Sequence, residues 1–126
     1  VEQFSPFLVA KMEVVAPEHG LALLIGFQTD QNADIGTRFS AERCENVPFA
    51  LLHAALSCVP NAEYVVSPLF GEDFDAMDLA IELANVGYKG RYLVMTPFLP
   101  DPAIILCEIR ANCPGVAVEL IPASRH

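Results

Sequence analysis

The stretch from Glu63 to Thr96, EYVVSPLFGEDFDAMDLAIELANVGYKGRYLVMT, decides the fold. Its two ends, Glu63-Tyr64-Val65-Val66-Ser67 and Arg91-Tyr92-Leu93-Val94-Met95, are β-branched and aromatic runs of strand length, bounded by Pro and Gly. Between them Asp75, Asp78, Glu82 and Asn85 recur at helical spacing, while Met77, Leu79, Ile81, Leu83 and Val86 fill the opposite side. Glu72, Asp73 and Asp75 suit the positive end of a helix dipole, and Gly87 suits the left-handed residue that ends a helix. Strand, helix and strand in this order form a βαβ unit, whose strands run parallel.

Working outward, Asp101-Pro102 starts a second helix and Cys113-Pro114-Gly115 stops it, before a third strand from Val116 to Ile121. Inside that helix Ile104, Ile105, Leu106, Cys107 and Ile109 leave only Glu108, Arg110 and Asn112 as polar side chains, too few to wet an outer face. Part of it is expected to meet another surface. Asn46-Val47-Pro48 caps a helix to about Cys58, where His53 and Ser57 are the main polar groups amid Phe49, Leu51, Leu52, Ala54, Ala55 and Leu56. Upstream, Phe7 to Val15 alternates with period two, and Leu21 to Gln28 follows the turn-like Ala16 to Gly20, which predicts a β-hairpin within residues 1–28. Thr29 to Gly36 reads as loop and Thr37 to Ala41 as a short strand.

Composition sets outer limits. The chain has 126 residues, 53% of them hydrophobic, so a single folded domain over 1–126 is expected. Sixteen acids against seven bases give a net charge of -9, which disfavours nucleic acid and anionic membranes as partners because phosphate contacts need clustered Lys and Arg. No apolar run approaches the roughly 20 residues that span a bilayer, and a cytoplasmic location is the expectation. Cys44, Cys58, Cys107 and Cys113 form no CxxC pair and no Cys/His cluster at zinc spacing, so buried free thiols are expected. The chain begins at Val1 and is expected to be part of something longer.

In an open α/β sheet, ligands bind beyond the carboxyl ends of the strands. The loops there offer Ser67, Glu72 and Asp73, then Thr96 and Asp101, with Gln28-Thr29-Asp30 able to join them. Ser67, Asp73, Thr96 and Asp101 are the candidate ligand-binding residues, although hydroxyls and acids at such places also serve as caps. Ser67 lies in Val65-Val66-Ser67-Pro68-Leu69 and not in a Gly-x-Ser-x-Gly elbow; neither a P-loop nor a Gly-x-Gly-x-x-Gly run occurs. His19, His53 and His126 lack metal-ligand spacing. No catalytic residue, metal or cofactor is expected.

Residues from about Val47 to Pro122 resemble the receiver domain of two-component response regulators. The likeness is carried by the strand to Ser67, the helix ending in Asn85-Val86-Gly87-Tyr88-Lys89-Gly90, the strand closing on Thr96 and the last strand ending in Ile121-Pro122. It implies a flavodoxin-like, mainly parallel sheet, three-layered or partly open, to which the residue pattern adds the N-terminal hairpin and about three helices. By the same resemblance Ser67 stands at the phospho-accepting aspartate and Ile121 at the lysine before the final proline. Phe27-Gln28-Thr29-Asp30 supplies one acid for the magnesium pair, and only the hydroxyl, Thr96, is kept. The expectation is a pseudo-receiver, a regulatory domain that acts by protein contact or homodimerisation without phosphorylation. The alternative is a small-molecule sensor or enzyme using the carboxyl edge. Because neither a first nor a final helix is expected, one sheet face should need a cover from the hairpin, a second copy or another domain. A homodimer through Ile104, Ile105, Cys107, Leu52 and Leu56 is favoured.

Overall fold

A computed structural model describes residues 18–39 and 41–122. Five strands, β1 (Glu18–Leu24), β2 (Arg43–Asn46), β3 (Ala62–Pro68), β4 (Arg91–Thr96) and β5 (Ala117–Pro122), form one sheet in the order β2-β1-β3-β4-β5. Every neighbouring pair is parallel. The helices α1 (Asn32–Phe39), α2 (Leu52–Cys58), α3 (Ala76–Val86) and α4 (Pro102–Asn112) connect them. This is the flavodoxin-like doubly wound order, reversing between β1 and β3.

A parallel sheet buries both faces, and its central strands lose the polar alternation of a half-exposed strand. Leu21 to Ile25 are accordingly all buried, as are Val65 and Val66 of β3. Leu21, Leu23, Val65, Val94 and Val118 point into the larger core, beneath Leu52 and Leu56 of α2, Leu79 and Leu83 of α3, and Ile109 of α4. Ala22, Leu24, Val66 and Leu93 point the other way and pack with Ile35 of α1. On that second face the β3 to β5 region carries a polar group as well: Arg91 pairs with Glu119 at 3.0 Å and lies 5.4 Å from the centre of the Tyr64 ring. The second face is therefore not a bare apolar sheet, since Val66 and Leu93 are buried and Arg91 bridges two strands.

Local chemistry explains the helix ends. Asp75 accepts from the Asp78 backbone N–H at 2.9 Å, and the Asp78 carboxylate accepts from the Asp75 N–H at 3.1 Å, a reciprocal cap. Gly87 closes α3 in the left-handed region at φ 71°. The chain then folds back so that the buried Tyr88 hydroxyl donates to the Ala62 carbonyl at 2.8 Å, tying the end of α3 to the start of β3. Gly90 lets the backbone pass over that contact, because a Cβ there would lie 2.7 Å from the Ala62 oxygen.

Several expectations in the first half are corrected. Thr29 to Gly36 is not a loop: a 3-10 turn at Thr29–Gln31 leads into α1, which also takes up most of the expected strand at 37–41. Only Ile35 and Gly36 of α1 are buried, so its helical stripe is too thin to announce itself. The strand is instead β2, whose residues Arg43-Cys44-Glu45-Asn46 lie at the sheet edge and are mostly exposed, so no apolar pattern marks it. The helices number four among the described residues. β1 pairs with β2 on one side and β3 on the other, which leaves it no free edge for a hairpin partner. The expected first hairpin strand, 7–15, lies outside the described residues.

Gly87→Ala should cost about 1 kcal/mol through the strained left-handed backbone alone, since nothing lies within 4 Å of a Cβ at that position. Gly90→Ala should cost about 2–3 kcal/mol, because the new methyl meets backbone that cannot yield. Urea midpoints of the two variants should fall in that order.

Candidate functional site

The order reversal places a crevice between the carboxyl ends of β1 and β3, the position at which doubly wound sheets bind ligands. The β1 side is apolar: Leu24 and Ile25 are buried, and Gly26 follows at φ 89°. The β3 side ends in Ser67-Pro68. Alternation along the strand turns Ser67 into the larger core, where it is fully buried. Its hydroxyl donates to the Pro68 carbonyl at 2.9 Å, which leaves the Tyr92 hydroxyl as donor in the 2.6 Å bond between Ser67 Oγ and Tyr92 Oη. The expected edge hydroxyl is thus a core hydrogen-bonding group, with no lone proton to offer a ligand.

Phe74 fills the crevice itself. The β3–α3 loop is pinned by Gly71 N–H donating to the Phe74 carbonyl at 2.8 Å and Ala76 N–H donating to the Leu69 carbonyl at 2.9 Å. That geometry folds the Phe74 ring inward, where it stacks on Phe49 at a centroid distance of 4.9 Å and an interplanar angle of 15°. Gly26 and Gly71 make room for it: a Cβ on Gly71 would lie 2.7 Å from Phe74 Cζ, and one on Gly26 3.0 Å from the same atom. The part of the crevice that the pair leaves open is a cleft of about 490 Å³, lined by Leu24, Gly26, Phe49 and Phe74 together with Phe27, Gln28, Asn46, Glu72 and Asp73.

The remaining candidates do not converge on one point. Thr96 is buried at the end of β4, whereas Asp73 and Asp101 are exposed on separate loops. Asp101 occupies the cap position of α4 without a side-chain capping bond. Gln28 is used locally, its N–H donating to Gln31 Oε1 at 2.7 Å ahead of α1. Among the described residues no three His, Cys, Asp or Glu side chains come together.

The expected interface divides in two. Ile104 and Cys107 are exposed on α4 and Ile105 is half-buried. Leu52 and Leu56 are core residues and cannot meet a partner, because their spacing of four puts them on the inner stripe of α2. That helix shows His53, Ala54 and Ser57 to solvent, and His53 pairs with Glu82 of α3. The cysteine expectation also needs correction: all four thiols are free, but only Cys113 is buried and Cys44 half-buried, burial raising both thiol pKa values. Cys58 at the end of α2 and Cys107 on the outside of α4 are exposed. Phe74 and Tyr92 are the site-shaping residues that sequence reasoning missed. Gly71, between Phe70 and Phe74 in the loop, was the available sign that a ring packs closely there.

Ser67→Ala should cost about 1–3 kcal/mol by leaving the Tyr92 hydroxyl buried without its partner, and adding Tyr92→Phe should recover most of the loss. Burial, helped by the Glu63 charge for Tyr88 and the Asp75 charge for Tyr92, pushes both phenols well above their ordinary range. The folded state therefore holds these protons more tightly than the unfolded chain. Stability should be unaffected by them below about pH 10 and fall as pH rises beyond it, with a shallower fall in Tyr88→Phe, measured by urea melts across that range.

No known protein-family profile matches the sequence, and no curated protein sequence matches it. The structure, by contrast, has clear neighbours. One is a response regulator receiver domain protein from Clostridium thermocellum, with a TM-score of 0.59 and 11% identity over 85% of this chain and 84% of that one. Another is the signal receiver domain of a Luxo repressor protein from Vibrio parahaemolyticus, with a TM-score of 0.56 and 10% identity over 86% and 81% of the two chains. At such identities the likeness establishes architecture: the chain has the flavodoxin-like α/β fold seen in receiver domains.

Proposed function

We propose that this chain is a receiver-like regulatory domain that works through protein contact and not through phosphorylation. The observation that carries this reading is the Ser67-Pro68 end of β3, next to a crevice filled by Phe74. An acyl phosphate needs a carboxylate that reaches the edge. Ser67 faces the core and Pro68 has no carboxylate, so neither residue can accept a phosphoryl group in that way. The flanking positions agree: β1 ends at Leu24 and is followed by Ile25-Gly26, with no carboxylate, and Ile121 packs against the smaller core.

With phosphotransfer chemistry replaced by packing, the surfaces left for signalling are the helices and the loops between them. A second copy or another domain is the partner class this implies. A second reading, a small-molecule sensor, draws support from the cleft beside Phe74, where Phe27 and Phe49 offer aromatic faces and Glu72 and Asp73 offer carboxylates.

Incubation with acetyl phosphate and magnesium, followed by intact-mass measurement under native-like and acid conditions, separates the main reading from an active receiver. No phosphate adduct is expected; a stoichiometric one would overturn the proposal. A defined small molecule retained by the purified protein in native mass measurements would favour the sensor.

A further inference from the structure

We propose that the cleft between α3 and α4, at the carboxyl end of the sheet, is the docking site for a basic amphipathic helix. This rests on the reading of the domain as one that acts by contact, and it names the partner.

Three large apolar side chains stand in solvent at this end of the molecule: Phe70 is 71% exposed, Phe98 90% and Ile104 64%. Phe70 and Phe98 leave the ends of adjacent strands, since Pro68 and Met95 are paired across β3 and β4. Ile104 lies in the first turn of the helix that follows Phe98. Between α3 and α4 runs a cleft of about 260 Å³ whose apolar lining includes Phe70, Met77, Ile105 and Ile109, with Asp75 and Glu108 beside them. Single exposed apolar residues are ordinary on a protein surface, but Phe70 opens onto an apolar groove, and an exposed ring continuous with such a groove marks an interaction site. The fold gives each a reason to face outward. Phe74 has taken the inward place in the β3–α3 loop, and Ile109 alone is buried on α4, so Ile104 and Cys107 have no core to enter. A groove between two helices accepts a third helix through side chains spaced along one face.

Charge selects the occupant. Asp75 and Glu108 are the charged side chains that line the groove, and no Lys or Arg occurs between Arg43 and Lys89 or between Arg91 and Arg110. Arg110 itself donates to the Val118 carbonyl and is turned toward β5. A second copy related by a two-fold axis would bring this acidic rim against itself. A helix whose apolar stripe is flanked by Lys and Arg complements both the groove and its rim.

The test is a titration of the isotope-labelled 126-residue chain, followed by amide chemical shifts, with an amphipathic Leu/Lys peptide of about 14 residues. A Leu/Glu peptide of the same pattern serves as control. Shifts confined to 69–78 and 98–109, weakening with salt, are expected for the basic peptide and none for the acidic one. Phe70→Ser and Glu108→Lys, both at exposed positions that line the groove, should each weaken binding by about tenfold while leaving the remaining spectrum unchanged. Shifts spread over the whole acidic surface, or unaltered affinity in both variants, would overturn the proposal. So would a concentration-dependent dimer, measured by light scattering, that Phe70→Ser abolishes, because the groove would then belong to a second copy. The phosphodonor experiment is independent: a phosphate adduct with intact peptide binding removes the functional reading and leaves the groove's occupant standing.

Discussion

A sheet made only of parallel strands has no face that can be left to water, and the rest of this structure follows from covering two apolar faces with four helices. Three of the helices lie over one face, where Leu21, Leu23, Val65, Tyr92, Val94 and Val118 meet Leu52, Leu79, Leu83 and Ile109. The other face receives α1, which contributes Ile35 to a smaller cluster and fastens to β5 through Arg38 donating to the Pro122 carbonyl at 2.6 Å. Arg91 and Glu119 bound that cluster on the β5 side. The two layers are unequal, and the outward character of α4 is a consequence of how little of it the larger core can absorb.

The same demand for burial has altered the crevice at the β1–β3 switch point. In place of polar groups aimed at a ligand, the crevice holds a stacked pair, Phe49 and Phe74, closed over Gly26 and Gly71. Burying a phenylalanine contributes about 1.5–3 kcal/mol, whereas exposed ion pairs such as Arg43 with Glu45 contribute about 0–1 kcal/mol. Aromatic packing therefore contributes more to the order of this edge than a surface ion pair would. Beneath it Ser67 and Tyr92 satisfy one another inside the core, a polar contact whose value lies in the penalty for breaking it.

Surface chemistry divides along the same lines. Of the helices over the larger core, α3 carries Asp78 and Glu82 without a Lys or Arg and α4 carries Glu108 and Arg110, while Phe70, Phe98 and Ile104 are exposed at the carboxyl end of the sheet.

Sequence alone determined the half of the fold whose signals are local. The βαβ repeat from Glu63 to Ile121, the acidic start of α3 at Asp75, its stop at Gly87 and the polar poverty of α4 are written in periodicity and capping residues within one element's length. Thr96 ends β4 and Asp101 caps the start of α4, as strand length and the Asp-Pro pair predict. Tertiary structure decided the rest. α1 and β2 are short, polar and peripheral, so they carry no apolar rhythm of their own and are held by the strands and side chains beside them. Whether Ser67 faced a ligand or the core depended on strand phase relative to Tyr92, 25 residues away. Leu52 and Leu56 became core instead of interface because α2 rotates that stripe onto the sheet. The crevice was closed by Phe49, Phe74, Gly26 and Gly71, which come from three separate connections of the chain and meet only when β1 and β3 pair. Contacts between residues so far apart leave no local pattern, because each residue alone is compatible with many structures and only the packed sheet selects one.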